Sequence, residues 1–84
     1  MERPVPGLRK RSVSLNGHAT SVALEPEFWT VLETMARAKG LSLAALIAEL
    51  DGRRGQSLLA SYSRLSALAF VQGGGLKKAA KTAA

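Results

Sequence analysis

Cysteine is absent from this 84-residue chain, which removes disulfides, thiolate metal ligands and cysteine nucleophiles together. Histidine is nearly absent: His18 stands alone, and one imidazole leaves no His pair for a metal. No stretch approaches the roughly 20 apolar residues that span a bilayer. The opening Met-Glu-Arg-Pro-Val-Pro-Gly-Leu-Arg-Lys-Arg carries charge without the apolar run of a signal peptide. These absences lead us to expect a soluble, cytoplasmic protein with no membrane association, no cofactor and no metal. Catalytic constellations are missing too. His18 has no nucleophile-and-acid set near it, Glu25 and Glu27 sit at a helix start where capping explains both, and Ser57, Ser61 and Ser63 lack the turn of a nucleophile elbow. No enzyme activity and no catalytic residue are expected.

Acids are few, six against twelve bases, and the bases are clustered. Arg9, Lys10 and Arg11 form one group, Arg53 and Arg54 a second, Lys77, Lys78 and Lys81 a third. Nucleic acid is the first partner to consider for such a pattern, with solubilising termini the plain alternative.

Three parts follow from composition: an arm over 1–8, a folded domain over 9–72 and a basic tail over 73–84. Arg11 to Leu15 alternates, Asn16-Gly17 follows, and His18 to Leu24 alternates again, which predicts a hairpin because both turn residues tolerate positive φ. The pairing would set Leu15 against His18, Ser14 against Ala19, Val13 against Thr20, Ser12 against Ser21 and Lys10 against Ala23. Val13, Leu15, Thr20, Val22 and Leu24 then share one face. Lys10, Ser12, Ser14, Ala19, Ser21 and Ala23 share the other.

A first helix opens at Glu25-Pro26-Glu27, where proline and acids both suit an N-terminus. Phe28, Val31, Leu32, Met35 and Ala36 mark its apolar stripe, with Trp29 at the edge as a packing or dimer-interface residue rather than a binding platform, and Gly40 ends it. Ser42 caps a second helix with Leu43, Leu46, Ile47 and Leu50 on one line, closed by Asp51-Gly52-Arg53-Arg54-Gly55. A third segment, Ser57 to about Gln72, puts Leu58, Tyr62, Leu65 and Ala69 on one line, widened by Leu59, Leu68 and Phe70. So wide an apolar face predicts burial on a dimer or on another protein. One strand and two helices over residues 20–50 make too small a unit for a core of their own, which suggests an obligate dimer.

The order strand, helix, Gly40-Leu41-Ser42, helix resembles the ribbon-helix-helix family of bacterial DNA-binding proteins over residues 18–52. A narrower similarity over Arg11 to Asp51, beginning Arg-Ser-Val-Ser-Leu-Asn-Gly-His-Ala-Thr-Ser-Val-Ala-Leu-Glu-Pro-Glu-Phe-Trp, looks like a subgroup common in alphaproteobacteria. The resemblance implies a mainly α fold with a short N-terminal β-ribbon, a ribbon-helix-helix homodimer, here with an additional C-terminal helix. It also implies that paired strands enter the major groove of double-stranded DNA, with Ala19, Ser21 and Ala23 outward beside Lys10 and Ser12, and that the second-helix amides around Ser42, Leu43 and Ala44 hold a phosphate.

The chain departs from that pattern. Family ribbons usually offer long polar side chains, whereas alanine touches only a thymine methyl, so direct readout should be poor unless Lys10, Ser12 and Ser14 join the face. A dimer of two formed hairpins would moreover be a four-stranded sheet, wider than a groove of roughly 12 Å admits; either the first strand peels away as an arm or the sheet does not read the groove. The leading expectation is a homodimeric DNA-binding transcriptional regulator, associated with the nucleoid. The alternative is a dimeric protein-interaction module, antitoxin-like, presenting residues 57–72 to a partner.

Overall fold

The computed structural model describes residues 7–75. Asn16 and Gly17 take φ of 52° and 81°, the left-handed pair that lets a two-residue turn follow the natural twist of its strands. They join β1 (Arg9–Leu15) to β2 (His18–Leu24) in an antiparallel ladder with every predicted pair in register, extended to Arg9 against Leu24. The inner face buries Val13, Leu15, Val22 and Leu24, with Thr20 half-buried.

Helix α1 (Pro26–Lys39) starts with proline at its first position and stops at Gly40, whose φ of 70° turns the chain out of the helix. The Leu41 amide then donates back to the Ala36 carbonyl at 2.8 Å, so the last turn is closed by backbone alone. Helix α2 (Leu43–Arg53) follows after Ser42, whose hydroxyl accepts from the Ala45 amide at 3.1 Å. It runs through Gly52 rather than breaking there. Arg54 ends it, bonding Asp51 at 2.6 Å and the Ser57 carbonyl at 2.8 Å. Helix α3 is Leu59–Gln72.

The helices cover the inner face of the hairpin, α2 against β1 and α3 against β2, and α1 packs on both helices. Leu24, Leu32, Leu46 and Ile47 are fully enclosed where the layers meet. Thus one chain forms a core: β1 supplies the ladder partner of β2 and α3 covers the seam between α1 and α2. The unit over residues 20–50, expected to need a second copy for its core, is completed here by β1 and α3 of the same chain.

Two apolar faces are also corrected. In α1 the buried side is Trp29, Leu32, Met35 and Ala36, with Phe28 and Val31 only half-buried. The stripe is rotated because the indole has a polar partner inside: Trp29 Nε1–H donates to the Arg9 carbonyl at 2.9 Å. In α3 the fully buried residues are Ser63 and Ala67, flanked by half-buried Leu59, Ala60, Tyr62 and Phe70. Small side chains on that side let the helix lie close to its neighbours. The expected line through Leu58, Leu65 and Ala69 instead faces solvent, Leu58 at 73% exposure and Leu65 at 63%, and only Tyr62 of that line contributes inward. The expected arm over 1–8 and tail over 73–84 lie largely outside the described residues.

Candidate nucleic-acid interface

The pleat of the hairpin sorts its side chains. Lys10, Ser12, Ser14, Ala19 and Ser21 are exposed on the outward face, and Ala23 is half-buried at its end. Cross-strand pairing sets Ser12 against Ser21, Ser14 against Ala19 and Lys10 against Ala23. The predicted readout residues of both strands therefore form one small, mostly polar surface with a single charge. Its shortest side chains leave the backbone close to whatever lies against it.

The same pleat divides the first basic cluster. Arg9 and Arg11 lie on the inner side of β1, past the end of the core, and reach toward α1. Arg11 stacks over the Trp29 ring, 4.9 Å from guanidinium to centroid, and pairs with Glu33 at 3.3 Å. Arg9, Lys10 and Arg11 border a depression of about 350 Å³ whose other walls are Pro26, Trp29, Thr30 and Glu33. Sequence reasoning did not connect β1 with α1 here. The signal available was charge, a glutamate on the exposed side of α1 facing an acid-free strand.

The second basic cluster is occupied by its own helix. Arg53 lies 3.5 Å from Glu49 and Arg54 2.6 Å from Asp51, partners that the i,i+4 and i,i+3 spacings already offered. Glu49 also binds Lys39, and that hydrogen bond first, then the nearby charges, holds its carboxyl below the ordinary 4.5. Arg64 of α3 bonds Glu25 at 2.9 Å and lies over Phe28, tying α3 to the start of α1. This hydrogen bond is the main reason that Glu25 titrates below its ordinary value. The third cluster, Lys77, Lys78 and Lys81, lies outside the described residues.

Ser42 and Leu43 belong to the helical layer and do not join the outward face. Ser42 is exposed and Leu43 half-buried. The Ser42 hydroxyl takes the Ala45 amide, so the amides of Leu43 and Ala44 are the donors left at that helix start. Charge is segregated more sharply than composition suggests. Residues 7–24 hold Arg9, Lys10 and Arg11 and no acid, whereas residues 25–75 hold five acids and five bases and are formally neutral. Among the described residues no three His, Cys, Asp or Glu side chains converge on a metal position, and no helix is long and apolar enough to cross a membrane.

Comparison with known proteins gives two matches. A family model described as a ribbon-helix-helix domain matches residues 8–71, which spans β1 and nearly all of α3. A solved structure of an uncharacterized protein from Bordetella pertussis Tohama I is similar with a TM-score of 0.67 and 36% identity; the alignment covers 81% of this chain and 60% of that one. The chain thus spans about three fifths of the length of that relative. No curated protein matches.

Proposed function

This chain belongs to the ribbon-helix-helix domain family, and on that premise we infer that it is a homodimeric, non-enzymatic DNA-binding protein of the transcription-regulator kind, acting on the chromosome in the cytoplasm. The observation that carries the reading is the acid-free hairpin with its exposed face of Lys10, Ser12, Ser14, Ala19 and Ser21. A polyanion meets no repulsive side chain there. Serine hydroxyls can bond base edges and alanine can touch a thymine methyl, but neither makes the bidentate contacts that discriminate strongly. Affinity is therefore led by phosphate contacts, from Lys10 and Arg9 beside the groove, from the basic tail and from the free amides of Leu43 and Ala44.

The test is a competition titration of a selected duplex against random duplex at one salt concentration, repeated with Lys10→Ala combined with Ser21→Ala. Each good base contact is worth about 1–3 kcal/mol, so the double variant should lose most of the preference for the selected duplex and keep most of its bulk affinity. A wild type that does not prefer its selected duplex by even about tenfold would remove sequence reading. A wild type that fails to bind any duplex at low salt would remove DNA as the partner. Removing Lys77 to Ala84 should lower the salt slope by roughly two to three, since each phosphate contact adds about −0.9.

A further inference from the structure

The depression between β1 and α1 has two chemically different walls. On one side three consecutive strand residues, Arg9, Lys10 and Arg11, supply cations. On the other, Pro26, Trp29, Thr30 and Glu33 recur at i, i+3, i+4 and i+7, which puts them on one face of the first two turns of α1. That helical wall offers acceptors. The Thr30 hydroxyl spends its proton on the Pro26 carbonyl at 3.1 Å, so toward a ligand it presents lone pairs, and Glu33 is a carboxylate with one oxygen on Arg11. The void of about 350 Å³ lies at the lower end of the range for small-molecule sites. We propose that this depression binds a phosphate monoester that also carries hydrogen-bond donors, the chemistry of a nucleoside monophosphate. The proposal requires neither the DNA-binding nor the dimer reading.

Charge selects the anion. Three cations and one carboxylate line the depression, a formal excess of two positive charges. A phosphate monoester carries about −1.5 to −2 at neutral pH, whereas a carboxylate or a backbone phosphodiester carries one charge. The monoester is the closest match. Among the described residues neither Arg9 nor Lys10 has an acid within ion-pair distance, so both can turn to a ligand without breaking a contact.

Arg11 is the pre-set element. Its guanidinium lies 4.9 Å over the Trp29 ring and one Nη1 bonds Glu33 at 3.3 Å, yet its side chain and that of Glu33 are each 42% exposed. An arginine held in place by stacking and a single hydrogen bond keeps further donors for an anion and loses little freedom when it takes one. The indole itself is 2% exposed, so it orients Arg11 and is not a stacking platform for the ligand. Glu33 then acts twice, steadying Arg11 and accepting from the donor groups of the ligand, which an inorganic anion cannot extend to that wall.

Trp29 is the sole tryptophan of the chain, so its fluorescence reports on the depression without a label. In titrations at constant ionic strength, adenosine 5′-monophosphate should change the emission saturably with a Kd of about 1 mM or tighter. Adenosine, which lacks the charge, and inorganic phosphate, which lacks groups to reach α1, should each bind roughly tenfold more weakly or worse. Arg9→Gln leaves the backbone carbonyl that holds Trp29 in place and should weaken the monophosphate by roughly tenfold. Arg11→Gln should do the same by calorimetry, the readout needed because losing the stacked guanidinium alters the emission itself. Glu33→Gln should leave inorganic phosphate bound as well or better and narrow the advantage of the monophosphate over it. No saturation up to about 10 mM in either emission or heat would overturn the site. Equal binding of adenosine would overturn the anion assignment, and wild-type affinity in both arginine variants would overturn the location. Adenylyl-adenosine, whose phosphate is a diester, tests the other source of phosphate: binding as tight as that of the monophosphate would overturn the monoester assignment and give the depression to a nucleic-acid backbone.

Discussion

Replacing Trp29 by Phe tests what fixes β1 to the body of the protein. The indole is 2% exposed and its N–H donates to the Arg9 carbonyl at 2.9 Å. Phenylalanine keeps an aromatic ring for Arg11 to cover but removes the donor and the five-membered ring. Leaving that part-buried carbonyl without its partner costs about 1–3 kcal/mol. A residual cavity of roughly 40 Å³ adds about 1 kcal/mol at ~24 cal/mol per Å³. The total of about 2–4 kcal/mol is a large share of the roughly 4–13 kcal/mol expected for a chain of this length. Because each kcal/mol moves the midpoint of so small a domain by about 4–8 °C, the melting temperature should fall by about 8 °C or more. Urea unfolding followed by circular dichroism gives the energy, and amide exchange should show β1 losing protection before α1 and α2. A loss below about 0.5 kcal/mol, the range of an inert surface change, with β1 still protected, would refute the anchoring argument and return the first strand to a detachable arm.

Ser63 is fully buried and its hydroxyl has no hydrogen-bond partner among the described residues, so Ser63→Ala should be neutral or stabilise by up to about 1 kcal/mol in chemical denaturation; a loss of that size would show that the hydroxyl is bonded. Ile47, fully enclosed between the helices and the hairpin, should cost about 2–5 kcal/mol when cut to Ala, measured in the same way. Glu25 and Glu49 both titrate below the ordinary 4.5, so between their folded and unfolded values the unfolded chain binds more protons, and stability present above 4.5 is lost as pH falls through the lowered values. Melting curves from neutral to strongly acidic pH should show this decline, and Arg64→Gln should make it shallower; identical slopes would exclude the Glu25 contact as a contributor.

The hairpin was readable to the residue because two independent signals coincide, the Asn16-Gly17 turn and strict alternation on both sides of it. Gly40 and Ser42 were equally legible, since each does its work through local backbone geometry. What failed was the choice of face where apolar residues surround a helix. In α3 leucines occur on both sides, and the buried side is marked by the small Ser63 and Ala67 rather than by the large residues, because the limiting factor is how near the helix can approach. The placement of Trp29 depended on a carbonyl twenty residues away, which no local period reports. At the candidate site, alternation placed Lys10 and the serines outward, yet the fates of Arg11 and Arg64 depended on glutamates in other elements. Arg53 and Arg54 were a different case, since their partners stood three and four residues away in plain view.

Within residues 7–75 positive charge is concentrated at one end of a neutral body, which makes this part of the molecule an electrical lever. Residues 25–75 contribute no net charge and residues 7–24 contribute three positive ones, with three more in Lys77, Lys78 and Lys81 of the tail, so within residues 7–75 a polyanion's field would pull on the hairpin before contact. Collisions then arrive in the correct orientation more often than chance allows. On the DNA-binding reading proposed above, Arg9 and Lys10 would govern how quickly a complex forms, an effect that fades as salt rises, whereas the short side chains of the outward face would govern how long it lasts.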